Sequence, residues 1–562
     1  MDADRPWFRH YEPSVPRSLD YPPMPLHEAL DRTARARPDR IALRFFVDPK
    51  LPPSTMTYGE VAEASRRFAL ALSHLGVKQG DRVALMLPNC PQFVVAFYGV
   101  LRLGAIAVNT NPLYVSREMG LQFADAGCET VILLDQFYPR MQEAQPQTKV
   151  KRVIVTDVAE TLPWWVRQVV HAIQRKHGER VTVRAQGDVF SFQDLVVQHG
   201  PHPPAVKVVP EDVALFQYTG GTTGTPKAAM LTHGNLMANM LQIEAWFTSA
   251  EAGNEVMLAV LPFFHVYGMT ICMLYGVWGG FEIVMLPRPR PIENVMKVVH
   301  KTRASIFPGV PTLYTAINNH PDVKKFDLSS VKICLSGSAP LPQEVQQRFE
   351  VLTGGKLVEG YGLSETSPVA HAGPIQGFRK AGSIGLPLPD TDARIVDLET
   401  KQPLATGEVG ELAIRGPQVM KGYWQRPEET ADALRDGWFF TGDIGRMDED
   451  GFFYIVDRAK DMIAASGLKV LPRDVEEVLF THPAVLEAVV AGVPDPYRGE
   501  TVKAWIVLKP GVTTTADDIT AHCKQGLAAF KVPKLIEFRT ELPKTAVGKV
   551  LRRVLVEEEK GK

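Results

Sequence analysis

At 562 residues the chain is well past the roughly 250–300 residues at which one hydrophobic core stops growing, so at least two domains are required. With 45% hydrophobic and 22% charged residues it reads as a folded globular protein, and a formal net charge of -1 removes any overall electrostatic pull toward nucleic acid. Five scattered cysteines, Cys90, Cys128, Cys272, Cys334 and Cys523, without a CxxC pair or clustered histidines, exclude a disulfide framework and a zinc site.

In chain order, the N-terminal stretch mixes charges and prolines where a secretory signal needs a continuous apolar run, so the chain is expected in the cytoplasm. From Tyr58 a helical pattern runs to Leu75 and stops at Gly76; a strand follows at 82–87, a helix from Pro91 and a strand at 105–108. This is β/α winding, and it resumes with strands at 256–261, 283–286, 305–308, 331–336 and 356–359, each followed by a helical pattern. Residues 162–176 form an amphipathic basic helix, with Leu162, Trp165, Val166, Val169 and Ile173 on one face and Arg167, His171, Gln174 and Arg175 opposite. Two readings fit it: a helix packed on the core, or one lying on the inner face of the membrane against anionic lipid, with Trp164 and Trp165 at headgroup level. Residues 256–281 lack Asp, Glu, Lys and Arg and are long enough to span a bilayer, yet Pro262, His265, Gly268, Gly276, Gly279 and Gly280 break them into a buried strand, a loop and a buried helix. Between about 383 and 424, short alternating strands predict a small β subdomain; a hairpin over 437–456 turns at Asp450-Gly451, and the charged segment 457–461 precedes a compact α+β pattern.

Residues 219–227 read Thr219, Gly220, Gly221, Thr222, Thr223, Gly224, Thr225, Pro226 and Lys227. Three glycines let backbone N–H groups approach a ligand closely, four threonines add hydroxyl donors, and a lysine follows, which are the ingredients of a phosphate cradle. A Walker loop needs Gly-Lys adjacent and a helix next, whereas here Thr225-Pro226 intervenes and 228–232 reads as a strand. Taken alone, the segment fits either a phosphate loop of another kind or a flexible hairpin turn.

The same chain carries Tyr361-Gly-Leu-Ser-Glu-Thr366, Thr441-Gly-Asp443, Asp457-Arg458 and Pro543-Lys-Thr-Ala-Val-Gly-Lys549. In order and spacing these resemble the core motifs of the acyl-adenylate-forming superfamily of acyl-CoA synthetases, adenylation domains and firefly-type luciferases, and the resemblance covers nearly the whole chain. Gly422-Tyr-Trp-Gln-Arg-Pro427, Asp436-Gly-Trp-Phe-Phe-Thr-Gly-Asp-Ile-Gly445, Ser466-Gly-Leu-Lys-Val470, Lys531-Val-Pro-Lys534 and Leu551-Arg-Arg553 are most similar to its bacterial long-chain fatty acyl-CoA synthetases.

The resemblance implies an α/β fold with a large N-terminal domain (1–456) of two doubly wound α/β subdomains plus a small β subdomain, a hinge at 457–460, and a mobile α+β C-terminal domain (461–562). It implies that a long-chain fatty acid attacks the ATP α-phosphate to give acyl-AMP and pyrophosphate, and that the CoA thiol then takes the acyl group and releases AMP. The loop 219–227 would hold the departing phosphates, Glu365 would ligate Mg²⁺, Ser364 would approach the α-phosphate, and Gly362 would also bind the nucleotide. Gly337, Ser338, Ala339 and Tyr361 would wall the adenine, while Asp443 and Arg458 would bind the ribose. Lys549 would carry the first half-reaction, and Ser466, Gly467 and Lys469 would meet CoA in the second. His265, counted with Lys549 and Glu365 among the catalytic candidates, would line the carboxylate end of an acyl site walled by Gly309 and Val310. Read without the motifs, Glu365, Asp443, Arg458 and Lys549 are surface charges and His265 is a hydrogen-bonded core residue. The chain departs from the family pattern at Ala228, where glycine is usual, and at Ala459, where lysine is frequent.

Expected partners are the fatty acid, ATP and CoA, with no nucleic acid; a homodimer and a membrane contact through 162–176 are open. The competing readings are a medium-chain or aryl acid ligase, an acyl-AMP ligase, a catalytically silent acyl-binding protein on the same fold, and an ATPase cleaving the γ-phosphate.

Overall fold

A computed structural model describes residues 5–219, 226–458, 461–465, 468–495, 499–545 and 550–560, with only the backbone described at 458, 464, 465, 468, 469, 499 and 560. The chain divides into two compact units, one of Phe8–Asp392 with Arg415–Gly437 and the other of Met1–Trp7, Ala393–Ile414 and Trp438–Lys562.

The larger unit is built on two sheets. The first has eight strands in the spatial order Gly422–Tyr423, Lys227–Thr232, Val213–Thr219, Ile106–Asn109, Arg82–Met86, Thr130–Leu134, Arg152–Thr156 and Val189–Ser191. Its centre is parallel, and the strands there are buried on both faces, as helix-covered parallel sheets require. The sequence explains the covering: every residue of helix Pro91–Arg102 is buried, and Pro91 starts it where a missing N–H costs nothing. Helix Tyr58–His74 opens on a capping box between Thr57 and Glu60, and the chain leaves it through Gly76 at φ 82°. The second sheet runs through Ser54–Thr57, Ile41–Phe45, Glu282–Met285 and Val256–Ala259; parallel bridges from Met257 to Ile306 and from Ile306 to Ile333 carry it on to Ile333–Ser336, Lys356–Gly362, Val369–Ala372 and Leu386–Pro387. The strand expected at 305–308 is therefore reduced to bridges at Ile306 and Gly309. Apolar 256–281 resolves into Val256–Ala259, a loop and buried helical turns over Gly268–Leu274 and Tyr275–Trp278. Among the described residues no helix is long and apolar enough to cross a membrane. All five cysteines are free and buried.

Helix Trp164–Lys176 corrects one expectation. His171 and Gln174, expected on the polar outer face, are buried at 7% and 9% exposure, and the helix packs through them together with Val166 and Val170. The reason is Asp157, which lies ahead of the helix and pairs with His171; Arg180 reaches the same carboxylate at 3.2 Å and Asp135 at 3.1 Å. Trp164, Trp165, Val169 and Ile173 are left 78%, 45%, 40% and 48% exposed.

In the smaller unit, Asp392–Val396, Gly410–Arg415, Trp438–Met447 and Phe453–Arg458 form one sheet, whose last two strands make the expected hairpin, with Gly451 at φ 82° in its turn. The second sheet has the order Leu468–Val470, Ile463–Ala465, Gly499–Leu508, Val485–Asp495, with Leu535–Arg539 also paired to Gly499–Leu508. Ile463, Val475, Leu479, Val490, Ile506 and Ile519 form its core beneath helices Pro472–Phe480 and Ala516–Gly526.

Candidate functional site

The phosphate-cradle segment joins two antiparallel strands. Thr219 ends one and faces Lys227 at the start of the other, and the Thr219 hydroxyl lies 3.5 Å from the Lys227 carbonyl. Gly220, Gly221, Thr222, Thr223, Gly224 and Thr225 lie outside the described residues. Ala228 is buried in the second strand, and its carbonyl accepts the Trp424 N–H at 2.9 Å. The short strand Gly422–Tyr423 pairs beside Ala229 and Met230, so Tyr423 arrives next to Lys227. The Lys227 ammonium lies 5.5 Å from the centre of the Tyr423 ring and 3.9 Å from Glu429. Neither is within hydrogen-bonding distance.

Tyr423 also meets the carboxylate side of the site. Its hydroxyl donates to Glu365 Oε1 at 2.8 Å, and burial, with the Glu365 charge adding, raises its pKa and keeps it a donor. Glu365 is 8% exposed in the short helical turn Ser364–Thr366, which packs against both strands of the 219–227 hairpin. Its backbone carbonyl accepts the Met420 N–H at 2.8 Å. Gly362 just before it admits no side chain, because a Cβ there would sit 1.9 Å from the Pro368 carbonyl oxygen. Tyr361 stands opposite His371 across the sheet with the rings 5.8 Å apart, and burial pushes the His371 imidazole down to about 3, so it stays neutral. Sequence reasoning assigned Tyr423 no role; its only signal was its place in the Gly422 motif, beside the strand that follows the loop.

A second group gathers where strand Ile333–Ser336 ends. Gly337 N–H donates to the Gly309 carbonyl at 3.2 Å, and Ser338 and Ala339 follow, with Ser338 at φ 68°. The Tyr267 hydroxyl donates to Leu335 and Gly309 carbonyls at 2.7 and 3.1 Å. A Cβ on Gly309 would come 2.9 Å from the Tyr314 ring, so glycine is needed for that approach. Val310 is 8% exposed beside it. Half-buried His265 accepts the Tyr267 N–H at Nδ1 over 3.2 Å. The segment before it is tied to the first sheet: Asn89 spans the Ala259 and Leu261 carbonyls and the Phe263 N–H, and Gln217 donates to the Phe264 carbonyl at 3.2 Å. These bonds thus fix the His265 segment against the strand that ends at Thr219.

The remaining predicted residues belong to the smaller unit. Asp443 is 3% exposed and stands in register with Arg458 across the hairpin. The Thr441 hydroxyl donates to the Leu412 carbonyl at 2.8 Å and accepts the Asp443 N–H at 3.1 Å, while Glu411 accepts the Gly442 N–H at 2.8 Å. These bonds fix the turn that presents Asp443. Lys469 lies in strand Leu468–Val470 opposite Ala464. Ser466, Gly467 and Lys549 lie outside the described residues.

Comparison with known proteins fits this arrangement. The family described as AMP-binding enzyme matches residues 30–424, and the AMP-binding enzyme C-terminal domain matches residues 474–549. The chain is 46% identical to "Long-chain-fatty-acid--CoA ligase" of Bacillus subtilis (strain 168), covering 100% of this chain and 99% of that protein. It is 39% identical to the protein of the same name from Yersinia pestis, covering 99% and 98%. Among solved structures, the anthranilate CoA ligase AuaEII in complex with anthranoyl-AMP superposes with a TM-score of 0.84 at 27% identity, covering 96% of this chain and 98% of that one.

Proposed function

The chain belongs to the AMP-binding enzyme family, and from that premise we propose that it activates long-chain fatty acids: ATP and the acid give acyl-AMP and pyrophosphate, then CoA gives acyl-CoA and AMP. The observation that carries the site reading is the placement of Lys227 and Glu365 about one tyrosine at the ends of the loop 219–227. A cation and a carboxylate held there suit a polyphosphate: Lys227 and the loop donors take the leaving pyrophosphate, and Ser364 turns its hydroxyl to the α-phosphate. Among the described residues no group of three or more acids, histidines or cysteines could hold a metal alone. Glu365 would hold Mg²⁺, which when bound would neutralise phosphate charge.

In this reading Gly337, Ser338, Ala339 and Tyr361 bound the adenine, and the cross-strand pair Asp443 and Arg458 takes the ribose. Lys549 stabilises charge developing between the acid and the α-phosphate, and a change at 457–460 brings Ser466, Gly467 and Lys469 into use for CoA. His265 lines the carboxylate end of the acyl site, and Gly309 with Val310 lines the alkyl chain. The test is pyrophosphate release across acids of increasing length, with and without CoA. The expected result is preference for long acids, AMP as product and a CoA requirement for turnover; equal rates with aryl or short acids would overturn the substrate class.

We further propose that helix Trp164–Lys176 rests on anionic lipid. Its exposed face joins Trp164, Trp165, Val169 and Ile173 to Arg175 and Lys176 in the last turn, pairing apolar insertion with charge. Arg175→Glu with Lys176→Glu should reduce sedimentation with anionic vesicles and spare neutral ones. Unchanged sedimentation would refute the contact.

A further inference from the structure

Helix Arg552–Lys560 begins three residues after Lys549, and its first side chain enters an acidic cluster. Arg552 Nη2 donates to both oxygens of Glu476 at 2.7 and 2.8 Å; Nη1 donates to Asp461 at 3.2 Å and lies 3.5 Å from Asp457. The Asp457 side chain is only 2% exposed, and its second oxygen accepts the Arg473 N–H at 3.0 Å. Glu476 is fixed in turn, accepting the Val490 N–H from the sheet at 2.8 Å. Burial alone would lower the Arg552 pKa, but the surrounding carboxylates outweigh it and hold the guanidinium charged.

Asp457 and Asp461 bracket residues 458–460, so one guanidinium grips both flanks of that segment. The same residue closes off the stretch that carries Lys549. Lys544 and Val550 bridge antiparallel, the Leu551 N–H donates to the Pro543 carbonyl at 2.8 Å, and Lys544 pairs with Glu487 at 2.6 Å. One leg is therefore fastened through Lys544 and the other through Arg552.

We infer that Arg552 is a positioning residue, a clamp that registers the Lys549 segment against the flanks of 457–460 for acyl-AMP formation. The inference rests on the proposed roles of Lys549 and of 457–460. A planar fork is required because the acceptors lie in separate directions, which the point charge of lysine cannot satisfy together. Removing the cation leaves three carboxylates facing one another, so the segment relaxes away from its register. Misplacing a reacting group by about an ångström costs on the order of tenfold to a hundredfold in rate.

The test measures both half-reactions on the full-length chain: pyrophosphate release from ATP and fatty acid, and thioester formation from supplied acyl-AMP and CoA. Arg552→Gln should slow the first about tenfold or more through kcat, hold KM for ATP within about twofold, and leave the second within about twofold. Arg552→Lys should recover part of the loss. Asp461→Asn removes one grip from a partly exposed carboxylate; should Arg552→Gln not fold, this variant carries the test, with a smaller loss of the same pattern. Equal slowing of both half-reactions, or none, overturns the clamp. A wild-type chain that releases no pyrophosphate overturns instead the proposed function.

Discussion

The Tyr423 node of the larger unit and the Arg552 node of the smaller one hold charged groups by opposite means. Around Tyr423, one phenol bonds Glu365 and lies beside Lys227, and backbone pairing on the neighbouring strand supplies the rigidity. Around Arg552, one guanidinium faces three acids and the fastening is ionic. The first arrangement holds a cation and a carboxylate on either side of one phenol, with Glu429 3.9 Å from the ammonium. The second consumes its charge in holding the chain together, and because the Asp457 side chain is only 2% exposed, loss of the cation would leave carboxylate charge buried without it. The two nodes differ in what holds the charges: backbone pairing with one phenol in the first, a bidentate guanidinium in the second.

The largest expected effect comes from removing a charge spent only on reaction. Lys549→Ala should slow pyrophosphate release by on the order of 10² or more and spare thioester formation from supplied acyl-AMP; equal loss in both would break the contrast. Next, Glu365→Gln should raise the Mg²⁺ needed for half-maximal rate by roughly tenfold to a hundredfold, measured by Mg²⁺ titration of pyrophosphate release. Tyr423→Phe removes one hydrogen bond worth about 1 kcal/mol, so the same titration should shift only about fivefold. A shift as large as that of Glu365→Gln would show the phenol doing more than orienting the carboxylate.

The smallest effect concerns a cluster with charge and no proposed chemistry. Burial, with the Asp157 charge adding, lifts the Glu160 carboxyl to about 7, above its value in an unfolded chain. Because the folded value is raised, the stabilisation from its proton is complete below the ordinary carboxylate range and is lost as pH rises through about 7. Glu160→Gln should therefore raise the apparent Tm by roughly 2 °C at pH 8 and far less at pH 5, as read by thermal unfolding. A gain independent of pH would mean that packing, not titration, governs the site.

Much of this was legible in the sequence. Val, Ile and Leu runs separated by helical periods gave the β/α winding, and Gly76 and Asp450-Gly451 placed a helix end and a turn through local chemistry alone. The motifs picked out Asp443, Arg458 and the segment 219–227, and the structure adds the register that sets the first two opposite each other. What escaped depended on partners distant in the chain. Periodicity put His171 outward because it cannot see Asp157, and it passed over Tyr423 because Glu365 lies 58 residues away. Arg552 likewise reads as one more surface charge until Glu476, 76 residues earlier, is brought to it.

The most direct test of the account supplies ATP, CoA and a long-chain fatty acid labelled with oxygen-18 in its carboxyl group. Attack of that carboxylate on the α-phosphate predicts AMP carrying one labelled oxygen for each acyl-CoA formed. Unlabelled AMP, or ADP and phosphate as products, would contradict it.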